Sequence, residues 1–173
     1  MRKGTVGALV IAAVSTLGDF VWANWIPGHR PVFGLTHGTL LFLCMGLYLG
    51  SLERQRFKGA IGGALIGFLA AGSFYVLAPL AGYSVMFLVW ALLWLALAVL
   101  EGRILREADR HSWREALTRG LVAAITSGIA FYMISGIWRP FSPRGWDYAV
   151  HFVSWTVAYL PGFLALLTKQ GLR

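Results

Sequence analysis

From Gly59 to Leu100 the chain runs without a single charged residue. An α-helix crosses a bilayer in about 20 predominantly apolar residues, so this run has room for two crossings. A soluble helix would break it with a polar face every 3.6 residues, because one side of such a helix meets water. Lipid is therefore the expected solvent. The rest of the chain agrees: of its 173 residues 58% are hydrophobic and only 13% charged, whereas about a quarter are charged in an ordinary soluble domain.

The apolar runs define six spans: Thr5 to Trp22, Gly34 to Gly50, Gly59 to Leu80, Tyr83 to Leu100, Gly120 to Trp138 and Tyr148 to Leu167. The expected fold is an all-α, polytopic bundle of six transmembrane helices forming one domain over residues 1–173. Met1-Arg2-Lys3 before an apolar run has the opening of a signal peptide, but Asp19, Trp22 and Trp25 stand where a small-residue cleavage site would lie. A retained first helix is expected. The lone Cys44 lies within a span and has no partner for an intramolecular disulfide.

Orientation follows from Lys and Arg, since loops rich in them stay cytoplasmic. Of the 15, three (Arg30, Arg139 and Arg144) fall on one side and the other twelve, 15 − 3, on the side of both termini. Both termini are thus expected in the cytoplasm and the protein in the plasma (inner) membrane. The net charge of +8 is explained by this asymmetry, and a nucleic-acid partner is not expected. Arg103, Arg106, Arg110 and Arg114 recur at helical spacing and are expected to meet anionic headgroups. Ser112-Trp-Arg-Glu115 has the pattern of a capping box, which starts the fifth helix ahead of its span.

Small residues mark packing faces, because in lipid close backbone approach replaces the hydrophobic effect. Gly59, Gly63, Gly67 and Ala71 form such a stripe in the third span, with Gly120, Ala124, Gly128 and Gly136 in the fifth and a shorter one, Gly4, Ala8 and Ala12, in the first. The fourth span, rich in Leu, Ala, Val and Trp, reads as lipid-facing. Pro161-Gly162 is expected to kink the sixth.

Ionisable residues within spans are costly and so draw attention to function. They are Asp19, His37 and His151, with Asp147 at a boundary. At 1.5 Å per residue the first three lie about 5 Å below the outer helix ends, on one level. Asp147 and His151 are one turn apart, spaced for a carboxylate to set the imidazole tautomer, and Trp155 continues their face. Trp22, Trp138, Arg30 and Arg139 flank this level. The expected ligand site comprises Asp19, Trp22, Arg30, His37, Trp138, Arg139, Asp147, His151 and Trp155, with Ala23 to Phe33 as a lid and the arginines holding an acidic group.

Two function classes fit. One is a protein that binds or transports a small amphipathic molecule or lipid through this extracytoplasmic pocket, with membrane lipids as its surroundings and a homo-oligomer or transporter complex as its assembly. The alternative is a membrane-embedded enzyme or a metal or haem protein using His37, Asp147 and His151; the residues do not say which metal or cofactor, and no close His-x-x-x-His pair is present. An aromatic belt with structural interhelical hydrogen bonds accounts for the same residues without any ligand. Six short spans, an outward aromatic pocket and Ala8-x-x-x-Ala12 resemble the substrate-binding subunits of energy-coupling-factor vitamin transporters, which implies that the first-helix stripe docks on a partner. Gly136-Ile-Trp-Arg-Pro-Phe-Ser-Pro143 resembles a hairpin of the Insig family of sterol- and lipid-binding membrane proteins. Both resemblances imply ligand binding.

Overall fold

The structure, a computed structural model, describes residues 1–26, 31–107, 111–134 and 144–168. It is all-α: α1 (Arg2–Trp25), α2 (Pro31–Leu52), α3 (Arg56–Ala81), α4 (Val85–Val99) continued by a π-helical turn (Leu100–Leu105), α5 (Trp113–Ile134) and α6 (Asp147–Leu167). With the π-helical turn counted into α4, all six are long and apolar enough to cross a membrane. Local chemistry sets several of the ends. Ser112 Oγ accepts the Glu115 backbone N–H at 3.1 Å, one half of the expected capping box, so α5 begins at Trp113, a full two turns before the apolar run. Glycine at position 82, with φ of 71°, takes the left-handed turn that ends α3, a conformation costly for any side chain. Pro161 lies inside α6, which continues past it to Leu167.

Each helix packs on its neighbours in the chain, and α6 returns to α1, so the six form a closed ring. The α2–α3 seam is the most extensive and the α1–α2 seam the thinnest. Glycines build the first of these. A Cβ on Gly63 would lie 2.1 Å from the Phe42 carbonyl oxygen, and one on Gly46 would lie 2.1 Å from that of Gly59, so the two backbones are in contact. Gly67 meets Gly38 in the same way. The α1 stripe is also a packing face: Gly4 abuts Phe163 and Leu164 of α6, and Ala8 and Ala12 are fully buried. Ala8 and Ala12 are therefore used inside the bundle and are not exposed for docking on a transporter partner. In α5 the stripe is shorter than expected. Gly120 packs on Ala98 and Leu95, whereas a side chain on Gly128 would meet nothing within 4 Å; Gly136 lies outside the described residues.

The fourth helix reverses its expected role. Trp90, Leu93, Trp94, Leu97 and Ala98 are buried, and 56% of its most apolar window lies inside the bundle against 6% for α3. Lipid tails are as apolar as leucine, so hydrophobicity does not separate an inward helix from an outward one. Size decides here: Trp90 stacks on Phe131 at 4.6 Å and on Tyr159 at 5.6 Å, and the Trp94 ring lies over Gly162, where a Cβ would come within 2.3 Å of it.

The basic end of the bundle also departs from expectation. Arg106 donates to Glu101 at 2.7 Å and lies 3.5 Å from Glu53, while Arg103 donates to the His111 carbonyl at 2.7 Å and its guanidinium sits 4.7 Å over the Trp113 ring. Arg119, buried, donates to the Leu166 carbonyl and to Glu115, both at 2.9 Å. Lys58 pairs with Glu107. Arg103 and Arg106 thus belong to an internal network around the buried Glu101 of the π-helical turn and do not point as a row at headgroups. Arg114 remains exposed, and Arg110 lies outside the described residues.

Candidate functional site

At the end of the ring remote from the termini, the helices enclose a cavity of about 850 Å³ to which all six contribute. Its floor is a group of four rings, two of them tied by hydrogen bonds to serines. Trp155 stacks on Tyr159 at 5.5 Å and on Phe131 at 6.2 Å, and Trp90 joins both as above. Tyr159 Oη is 3.0 Å from Ser15 Oγ. The Trp90 indole donates to Ser127 Oγ at 3.0 Å, and Ser127 in turn donates to the Ala158 carbonyl at 2.5 Å. Each polar atom named here has a partner, which is what allows tyrosine, tryptophan and serine to lie so deep.

Above this floor α1 and α6 share one carboxylate. Asp19 Oδ2 lies 2.9 Å from His151 Nδ1 and accepts the Trp155 indole N–H at 2.7 Å. Two donors on one oxygen fix the Asp19 side chain, and the carboxylate favours the His151 tautomer that carries its proton on Nδ1. His37 enters the same cavity from α2, with its ring edge on to Trp22 at 6.2 Å. That ring occupies the space above Gly18: a Cβ there would lie 2.2 Å from His37 Cε1. Gly18 is thus the seat of His37.

Five of the nine expected site residues, Asp19, Trp22, His37, His151 and Trp155, line this cavity. Asp147 does not. Its Oδ2 accepts the Arg144 backbone N–H at 2.9 Å in the turn that opens α6, and the expected Asp147–His151 pair is replaced by Asp19–His151. The Asp147 carboxylate takes a backbone donor three residues away, and the imidazole one turn on bonds Asp19. Arg144 is exposed and absent from the lining. Arg30, Trp138 and Arg139 lie outside the described residues, as does 27–30 of the expected lid, while Ala23 and Ile26 of that segment line the cavity.

Sequence reasoning missed Gly18 and the rings Phe74, Tyr75, Trp90, Phe131 and Tyr159 that α3, α4, α5 and α6 supply, with Tyr83 from the α3–α4 turn. Aromatic residues near helix ends carried the signal for three of them, but a belt at the membrane interface gives the same signal. Among the described residues no group of three or more His, Cys, Asp or Glu side chains is placed to hold a metal ion. No Lys or Arg appears in the described lining, where Asp19 is the formally charged member. Comparison with protein-family models, with curated proteins and with solved structures finds no match for this chain. The segment 136–143 that resembles the Insig hairpin lies outside the described residues.

Proposed function

We propose that the protein is a six-helix membrane component that binds or transports a small amphipathic molecule, taken up with its polar group toward Asp19, His37 and His151. The observation that carries this reading is one cavity in which polar side chains from α1, α2 and α6 converge over a stacked aromatic floor. A volume of about 850 Å³ falls in the usual range for small-molecule sites, roughly 300 to 1,000 Å³. The charge of the lining selects the headgroup. A carboxylate amid nine aromatic side chains favours a cationic or hydrogen-bond-donating group, because ring faces attract cations and an acidic group would be repelled by Asp19. Arg30 and Arg139, expected to hold an acidic group, lie outside the described residues, so this reading rests on the described lining alone. For an enzyme using His37, Asp147 and His151, the cavity offers His37 and the Asp19–His151 pair.

Two probes of equal chain length and opposite charge test it. With the protein in nanodiscs, below the micelle concentration of either probe, decyltrimethylammonium is expected to quench tryptophan fluorescence saturably while decanoate does not. Equal effects of the two, or no saturation by the cation, would remove the reading.

The orientation is part of the proposal: both termini face the cytoplasm of a plasma (inner) membrane and the cavity faces outward. It rests on the charge asymmetry. Phe57 and Trp113 at the basic end are 78% and 57% exposed, and Trp146 at the other end is 87% exposed. In a Cys44→Ala background, Phe57→Cys and Trp113→Cys are expected to resist an impermeant thiol reagent on intact cells while Trp146→Cys reacts. The opposite pattern would invert the protein and turn the cavity inward.

A further inference from the structure

The thin α1–α2 seam carries a second cavity of about 300 Å³. Its walls are mostly hydrocarbon: Val14, Leu17 and Val21 from α1, Phe33 and Leu40 from α2, with Thr36, His37 and Cys44 among them. Leu17 and Leu40 are 62% and 55% exposed, so this crevice opens on the outer surface of the ring and, in a bilayer, on the acyl region. Ile26, His37 and Leu41 line both this crevice and the central cavity. The partition between the two is therefore one layer of side chains, and its polar member is the imidazole seated on Gly18.

We infer that the crevice is the chain subsite of the same ligand: the molecule is a long-chain amphiphile whose headgroup lies in the central cavity and whose hydrocarbon chain leaves past His37 between α1 and α2. This rests on the reading of the central cavity as a ligand site. The occupant follows from the surroundings and from continuity. The crevice runs along the cavity-side halves of two membrane-spanning helices, its mostly apolar walls offer a chain the same contact as neighbouring lipid, and it adjoins the space where the polar group sits. A chain gains nothing by transfer from lipid to such a groove, since both are apolar. What it gains is geometry: the headgroup reaches buried polar side chains while the tail stays in the bilayer, and entry takes place sideways, without passage through water. The α1–α2 seam suits this role because fewer residues meet across it than across any other seam of the ring.

The test uses one headgroup with two chains. Hexadecyltrimethylammonium reports the cavity and the crevice together, and butyltrimethylammonium the cavity alone. Leu17→Trp and Leu40→Trp fill the crevice from opposite helices; both side chains are largely exposed, so either variant keeps the bundle packing. Each is expected to weaken the long-chain probe about tenfold or more and to leave the short one unchanged. A long-chain probe with a terminal methanethiosulfonate should also label Cys44 in the wild type and fail to do so in Leu40→Trp. Long-chain binding that ignores both tryptophans, or an absence of Cys44 labelling, would overturn the crevice while short-chain binding keeps the cavity. If butyltrimethylammonium does not bind the wild type, the cavity reading falls and the crevice with it.

Discussion

Gly46→Leu and Gly63→Leu are expected to leave little or no folded protein in mild detergent. At each position the first side-chain atom would already lie 2.1 Å from a backbone oxygen of the facing helix, closer than any non-bonded contact allows, and a carbonyl in a helix cannot rotate away without breaking its own hydrogen bond. The α2–α3 seam must then open along its length, and with it go the close contacts that hold helices together where hydrophobic transfer supplies nothing. The cost is at the upper end of overpacking penalties or beyond, about 3 kcal/mol or more. Two glycines serve as controls. Gly72 has its nearest neighbour 3.9 Å from a built Cβ and Gly128 has none within 4 Å, so alanine at either should be neutral or stabilising by up to about 1 kcal/mol through helix propensity. Size-exclusion profiles and thermal melts in detergent separate the outcomes. Wild-type melting of both leucine variants would mean that α2 and α3 do not cross closely.

This seam was legible in the sequence because glycine every four residues has few other uses in a membrane helix. The partner was less so: Gly38, Gly46 and Gly50 of α2 complete the contact on the same four-residue register, but Phe42 interrupts the row and masks it. The role of α4 was not legible at all, since a run of Leu, Ala, Val and Trp satisfies lipid and protein interior alike. The basic end could have been read further. Glu53, Glu101, Glu107, Asp109 and Glu115 are five of the chain's seven acidic residues and stand among its arginines, a composition that suits an ion network as much as a headgroup contact. Counting Lys and Arg alone, as the orientation rule requires, leaves them out of view.

Asp19, His37 and His151 share one cavity lining, whereas Asp147 bonds a backbone donor outside it. Asp19, His37 and His151 come to one level because helices of similar length start and stop at the same interfaces, which a count of residues captures. Which carboxylate meets His151 depends on how α1 and α6 are rotated against each other. That rotation comes from the face formed by Gly4, Ala8 and Ala12, and helical spacing within α6 alone could nominate only Asp147. The histidine seat on Gly18 was equally out of reach, because an isolated glycine in a span announces a close neighbour without naming it.

Asp19→Asn is expected to separate charge from structure at the site. The asparagine oxygen can still accept the Trp155 indole N–H and the His151 Nδ1–H, so the α1–α6 contact and the folded state should persist. The negative charge is lost. Affinity for decyltrimethylammonium should fall about tenfold to a hundredfold, equivalent to about 1.4 to 2.8 kcal/mol, and the preference over decanoate should disappear. Asp19→Ala goes further, since it takes the acceptor from the buried His151 and the half-buried Trp155 and adds a stability loss of about 1 to 3 kcal/mol. Asp147→Asn is the contrasting case: the asparagine oxygen can accept the same Arg144 backbone N–H, the residue lies outside the cavity lining, and both binding and melting should match the wild type. Ligand titration and thermal melting on the same three preparations give the comparison. Should Asp19→Asn keep full preference for the cation while Asp147→Asn loses it, the carboxylate that faces the ligand is Asp147, and the Asp19–His151 pair serves only to join two helices.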